Sequence, residues 1–177
     1  MNKMSGRQSD FAYLREDASR LVIGYGLKEI SEDLCEWNEV YLYKKQKSSI
    51  SLQDVKDAII ADINARTDEK ILSGFVWNGK PVWLSAESQT NFSAAEYTAS
   101  TKNGLGLPVT FKLGEQNGTP VYHEFTTVEE LSGFYLQAQD YIKQCLGEGW
   151  QEKDGIDWAP YEALFPSQSK NDNQQAE

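Results

Sequence analysis

Apolar and polar positions are most informative across residues 73–85, Ser-Gly-Phe-Val-Trp-Asn-Gly-Lys-Pro-Val-Trp-Leu-Ser. Two short apolar runs flank Asn78-Gly79, and an Asn-Gly pair accepts the positive φ angles of a type I′ turn. The spacing predicts a hairpin with Trp77 opposite Lys80, Val76 opposite Pro81 and Phe75 opposite Val82. Alternation along the strands sends Phe75, Trp77, Val82 and Leu84 to one face and Val76, Pro81 and Trp83 to the other. Neither face is polar. One set enters a core, and the other needs a cover or a partner.

The remaining pattern fills in around this hairpin. Residues 21–25 and 36–43 are rich in β-branched and aromatic side chains and read as strands, with the acidic 29–36 stretch joining them as a long hairpin. Residues 1–10 read as a loose start and 44–51 as a polar linker. Ser51 and Asp54 suit a helix N-terminus, and Leu52, Val55, Ile59 and Ile63 recur at three- and four-residue steps. They predict a helix over 52–72 that ends near Gly74. Ser85 can cap a second helix running toward Ser100, and the breakers of 102–108 turn the chain.

Val109, Phe111 and Leu113, then Val121, His123 and Phe125, alternate on either side of a 114–118 loop and predict a second hairpin. Thr126 and Glu129 form a Thr-x-x-Glu capping box. It opens a helix carrying Leu131, Phe134, Tyr135, Ala138, Ile142 and Cys145 and expected to end near Gly147 or Gly149. No repeat of 20–50 residues is visible. The expected fold class is α+β, with two β-hairpins and N-terminal strands packed against three helices. The expected organisation is a strand-rich segment 1–50, an α+β domain 51–149, an irregular aromatic segment 150–166 docking on that domain, and a disordered tail 167–177 that lacks the apolar side chains to order itself.

Composition narrows the partners. With 40% hydrophobic residues and 13 glycines in 177, the chain is of ordinary globular make-up. Its formal charge of −10 repels phosphate backbones and anionic lipid, so neither nucleic acid nor a membrane surface is expected as a partner. Lys44-Lys45-Gln46-Lys47 is too short a basic run to alter that and reads as a solvated strand end. Met1 to Asp10 has no apolar centre of a secretory signal, which places the chain in the cytoplasm unless it leaves within an assembly.

The reagents for catalysis are sparse. His123 is the one histidine and shares a strand face with Val121 and Phe125, which suits a half-buried ring with one partner better than a general base. Cys35 and Cys145 lie far apart outside any Cys-x-x-Cys pair; their default is two reduced thiols, with a disulfide as the alternative. Gly24-Tyr25-Gly26 and Gly104-Leu105-Gly106 lack the rest of a nucleotide-binding motif and read as ordinary turns. The acidic pairs 32–33, 68–69 and 129–130 diverge on any regular element and read as solvated charge. No catalytic, cofactor or metal residue is assigned, and no cofactor is expected. Five Trp and nine Tyr are the exception to this blandness, since such rings suit interfaces and sugar platforms as well as cores. The candidate interaction surface is Trp83 with Val76 and Pro81, on a strand that proline confines to an edge.

In order, the polar helix leading into Ser73-Gly74-Phe75, the Asn78-Gly79 hairpin, the 87–91 helix start, a strand pair and the 126–131 helix start make the run from Leu52 to Glu148 resemble an uncharacterised domain of phage tail and tail-fibre-associated proteins, often prophage-encoded. That domain offers no catalytic residues to transfer. The resemblance implies a non-enzymatic accessory protein, either a tail component or a fibre-assembly factor. It would act by binding phage tail or fibre proteins in the bacterial cytoplasm or in the virion. A carbohydrate-binding module using an exposed Trp83 or Trp77 is the second expectation, with a glycan as partner, and an uncharacterised hydrolase using His123 or a carboxylate cluster in a cleft is the third. The strand-rich N-terminal segment around Glu36 to Val40 departs from the usual pattern of that domain.

Overall fold

The computed structural model describes residues 3–166, so the expected 167–177 tail lies outside the described residues. The fold is α+β, with three long helices and antiparallel hairpin sheets. The chain divides into two compact units. One comprises the residues up to Asn64 together with those from Gln151 on, and the other Ala65–Trp150.

In the first unit, β1 (Lys3–Gly6), β2 (Arg15–Asp17), β3 (Arg20–Ser31) and β4 (Leu34–Tyr43) form one antiparallel sheet in the order β1-β4-β3-β2. The β3–β4 hairpin matches the expectation but is longer, with strand pairing continuing to Ser31 opposite Leu34. The loose start expected for 1–10 is corrected. β1 pairs with β4, Met4 opposite Trp37, and Lys3 Nζ meets Glu36 Oε2 at 2.7 Å. Four weakly apolar residues carry no pattern of their own, so only the exposed backbone of β4 makes them a strand.

Gly24-Tyr25-Gly26 is not a turn either. Gly24 lies inside β3, where a Cβ would come within 2.4 Å of the Ala12 carbonyl oxygen, so glycine lets residues 11–13 cross the sheet. Gly26, at φ +66°, sits in a bulge between Tyr25 and Lys28.

Helix α1 (Leu52–Ser73) begins in this unit. Ser51 Oγ accepts from Asp54 N at 3.1 Å while Asp54 Oδ2 accepts from Ser51 N at 2.7 Å, the reciprocal cap that the two residues predict. Its buried stripe Leu52, Val55, Ile59 and Ile63 packs with Leu21, Ile23 and Tyr25 of β3. The same core takes Tyr161 and Phe165, the former in the short helix α4 (Ala159–Glu162). The 150–166 segment therefore packs both with the N-terminal strands and with the first half of α1, and the unit boundary falls inside α1 rather than at 50/51. Tyr161 fixes the docking by donating its hydroxyl to the Gly24 carbonyl at 2.7 Å.

In the second unit, β5 (Phe75–Trp77) and β6 (Lys80–Val82) pair in the predicted register, with Asn78 and Gly79 at φ +49° and +75°. Helix α2 (Ala86–Thr101) starts at Ser85, whose hydroxyl accepts from Ser88 N at 3.1 Å. Strands β7 (Val109–Gln116) and β8 (Thr119–Phe125) form the second hairpin. Its turn is tighter than the expected 114–118 loop, because Asn117-Gly118 repeats the Asn-Gly signal at φ +52° and +76°. Phe75, Trp77, Val82 and Leu84 join Phe92, Leu113, Phe125, Leu131, Phe134 and Ala138 in one core.

Helix α3 (Val128–Asp154) departs from the sequence reading at both ends. Thr127, not Thr126, supplies the cap, its hydroxyl accepting from Glu130 N at 3.2 Å while Glu130 reaches back to Thr126 N at 3.4 Å. At the other end Gly147 and Gly149 do not stop it. Gly149 is buried against Thr67, where a Cβ would lie 2.5 Å from Oγ1, so this glycine serves helix packing.

Candidate functional site

Alternation leaves Val76, Pro81 and Trp83 on the outer side of the β5–β6 hairpin, as their spacing predicts, because Phe75, Trp77 and Val82 are drawn into the core. Val76 is 61% exposed and Trp83 38% exposed. The surface continues beyond them. Trp83 N donates to the Leu113 carbonyl at 2.7 Å, which ties the end of β6 to β7. Gly114 makes the approach possible, since a Cβ there would lie 2.7 Å from the Pro81 carbonyl oxygen. β6 is an edge of its two-stranded sheet, as expected of a strand that carries a proline, and β7 of the other hairpin lies close alongside it.

Lys112 Nζ then lies 5.2 Å from the centre of the Trp83 ring, a cation–π contact, and also pairs with Glu115 Oε1 at 2.9 Å. Tyr122, opposite Lys112 in the register and 60% exposed, extends the strip across β8. Lys112 and Tyr122 escape a reading hairpin by hairpin. The only sequence signal for them is that they occupy the polar phase of the second hairpin, the phase that the Trp83–Leu113 bond aligns with Trp83.

His123 belongs to the inner side. Its ring packs edge-on against Trp77 at 4.9 Å and Phe125 at 4.6 Å between centroids. Lys80 Nζ is 2.9 Å from Nδ1, and Nε2 is 2.8 Å from Glu130 Oε1. An ammonium has no lone pair, so Nδ1 accepts and the ring proton sits on Nε2, donated to the carboxylate. Both nitrogens are thereby engaged, and the ring braces β6, β8 and the first turn of α3. Trp77 is buried, which removes it from the carbohydrate expectation; Trp83 remains accessible.

A buried ionised side chain lies in the first unit, on the strand expected over 36–43. Glu39 is 2% exposed. It accepts from Arg15 Nη1 at 2.7 Å, Arg15 Nη2 at 3.4 Å, Trp37 Nε1 at 3.2 Å and Tyr41 Oη at 3.1 Å. Burial alone would push its pKa up; the bonds from Arg15, Trp37 and Tyr41 outweigh that and hold it below the usual carboxylate range. A carboxylate between two aromatic residues on one strand face was the available signal. Every oxygen is committed to a protein donor, so the group locks the sheet rather than offering itself to a ligand.

Cys35 and Cys145 are buried free thiols. Among the described residues, no group of three or more His, Cys, Asp or Glu side chains converges as a metal site, and no helix is long and apolar enough to cross a membrane.

No curated protein and no solved structure matches the chain. The family described as a domain of unknown function, DUF4376, matches residues 54–169, more than half of the 177. That stretch takes in all but the first residues of α1, both hairpins of the second unit, α2, α3 and the docking segment around Tyr161. With its hairpin platform and its core-facing histidine, the chain belongs to the DUF4376 family.

Proposed function

We propose that this chain is a non-enzymatic binding protein whose partner docks on the outer sheet face of the second unit. The observation that carries this is the sheet face on which Val76, Trp83, Lys112 and Tyr122 are exposed around a half-buried Pro81, with large apolar and aromatic groups left outside a well-filled core. Such groups, centred on a tryptophan, are the usual anchors of protein interfaces. The engagement of both His123 nitrogens supports a structural rather than a catalytic histidine. The resemblance to a domain of phage tail and tail-fibre-associated proteins makes a tail or fibre subunit the proposed partner. The protein would then act in the host cytoplasm during assembly or be carried in the virion.

Co-expression with the tail and fibre proteins encoded beside its gene, followed by pull-down of the folded full chain, tests this. Recovery of one of them by the wild type, weakened about tenfold or more by Trp83→Ala, is the expected result. Recovery of none ends the reading. A second reading, a saccharide ring stacked on Trp83, is favoured by the exposed indole with Lys112 beside it; glycan binding lost in the same variant would support it.

A further inference from the structure

A second surface of the Ala65–Trp150 unit has different chemistry. Helices α2 and α3 run side by side, tied by Ser132 Oγ donating to Glu96 Oε1 at 2.9 Å and by Tyr135 Oη lying 3.5 Å from Ser93 Oγ. Along their seam lies an open groove of about 580 Å³, lined on α2 by Gln89, Ser93 and Tyr97 and on α3 by Tyr135 and Gln139. The α2 residues stand four apart and form one row along the helix, about 12 Å from first to last at 1.5 Å per residue. A quarter of the chain is charged, yet no charged side chain lines this groove. Its wall is mixed, with two amides, the hydroxyls of Thr90 and Ser93, two phenol rings and the Ala94 methyl.

We propose that this groove binds a neutral oligosaccharide. Sugars present alternating hydroxyl and C–H surfaces, and they are matched by side chains that both donate and accept hydrogen bonds together with an aromatic face for the C–H side. Anionic and cationic ligands find no counter-charge here, and an apolar peptide helix would leave the amides unpaired. Tyr97 is 66% exposed, with no ring partner among the described residues, and supplies the stacking platform. The Gln139 amide is free of hydrogen bonds among the described residues. The Gln89 amide is held in place by donating Nε2 to the Leu84 carbonyl at 2.7 Å, which leaves its Oε1 as a positioned acceptor. Ser93 and Tyr135 add two hydroxyls; Tyr135 Oη donates to Ser93 Oγ at 3.5 Å, which leaves the Ser93 proton and the Tyr135 lone pairs facing a ligand. The site is independent of the Trp83 strip, so either can fail alone.

The test is titration of the full-length chain, followed by NMR, with maltotetraose, cellotetraose and chitotetraose as neutral probes and a tetragalacturonate as the anionic control. At least one neutral probe is expected to bind and to shift resonances of α2 and α3. Tyr97→Ala should weaken it roughly tenfold, the worth of one stacked ring. Gln139→Ala should weaken it several-fold, and Trp83→Ala should leave it unchanged. Tyr97 lies outside the core, so its variant should fold; if it does not, Gln139→Ala and the resonance map carry the decision. The proposal is overturned if no neutral probe binds, if only the tetragalacturonate binds, or if binding survives Tyr97→Ala but is lost in Trp83→Ala.

Discussion

Gly149 and Thr67 touch so closely that a methyl group on residue 149 would stand 2.5 Å from Thr67 Oγ1 and 3.4 Å from its Cγ2. Two residues earlier in the same helix, Gly147 has open space around it. The two glycines therefore predict opposite signs. Gly147→Ala should stabilise the protein by about 0.5–1 kcal/mol, because alanine loses less backbone freedom in a helix. At Gly149 the same gain is set against overpacking of about 1–3 kcal/mol, so Gly149→Ala should be destabilising, by up to about 2.5 kcal/mol. Urea denaturation of both variants decides it, and stabilisation by both would show that the close contact is absent.

The start of α3 supplies a second paired prediction. Two threonines are adjacent, and only Thr127 receives the Glu130 N–H. Thr127→Ala should cost about 1 kcal/mol, the usual worth of an N-cap hydroxyl. Thr126→Ala keeps its backbone N–H on Glu130 and should cost a few tenths. Glu130→Ala should cost more than Glu129→Ala, since it also frees His123 Nε2. Thermal unfolding of the four variants ranks them, and Thr126→Ala costing more than Thr127→Ala would restore the cap one residue earlier.

That one-residue shift shows where sequence reasoning stops. Thr126-x-x-Glu129 and Thr127-x-x-Glu130 are equally good boxes as text, and only packing of Leu131 and Phe134 into the core phases the helix. The Asn78-Gly79 register was legible to the residue because turn chemistry and alternation agree locally. The stripe of α1 was legible for the same reason: one period, uninterrupted. Strand β1 was not, since its pairing depends on a partner 29 to 35 residues away. Nor was the role of Gly149, because a glycine that ends a helix and one that admits a neighbour look alike until the neighbour is known. For the candidate surface, Val76, Pro81 and Trp83 follow from phase alone, whereas Lys112 and Tyr122 required the Trp83–Leu113 bond that sets two hairpins side by side.

Glu39 predicts a defined pH response. Its folded pKa is depressed, so the stability it contributes is complete above the unfolded glutamate value of about 4.3 and drains away as pH falls through the lower folded value. Arg15→Gln leaves the carboxylate buried with Trp37 and Tyr41 but without its cation, and should cost about 1–3 kcal/mol at pH 7. Glu39→Gln should flatten the acid limb of a stability curve measured between pH 6 and pH 2. An acid limb unchanged by that substitution would mean the four bonds contribute no net preference for the charged form.

Tyr161 tests the grouping of the C-terminal segment with the N-terminal strands. It is buried among Leu21, Ile23, Ile59 and Phe165, and its hydroxyl donates to the Gly24 carbonyl. Tyr161→Phe should cost about 1–2 kcal/mol through the orphaned carbonyl, and Tyr161→Ala about 3–5 kcal/mol through the cavity as well. Burial pushes the Tyr161 hydroxyl well above its ordinary pKa, so the folded protein keeps a proton that the unfolded chain releases from about pH 10. Stability should therefore fall as pH rises past that value, and Tyr161→Phe should remove this part of the decline. Hydrogen exchange locates the effect: amides of Leu21 and Ile23 in β3 should exchange faster in Tyr161→Ala. If Phe75 and Val82 lose protection in their place, the segment docks on the β5–β6 hairpin after all.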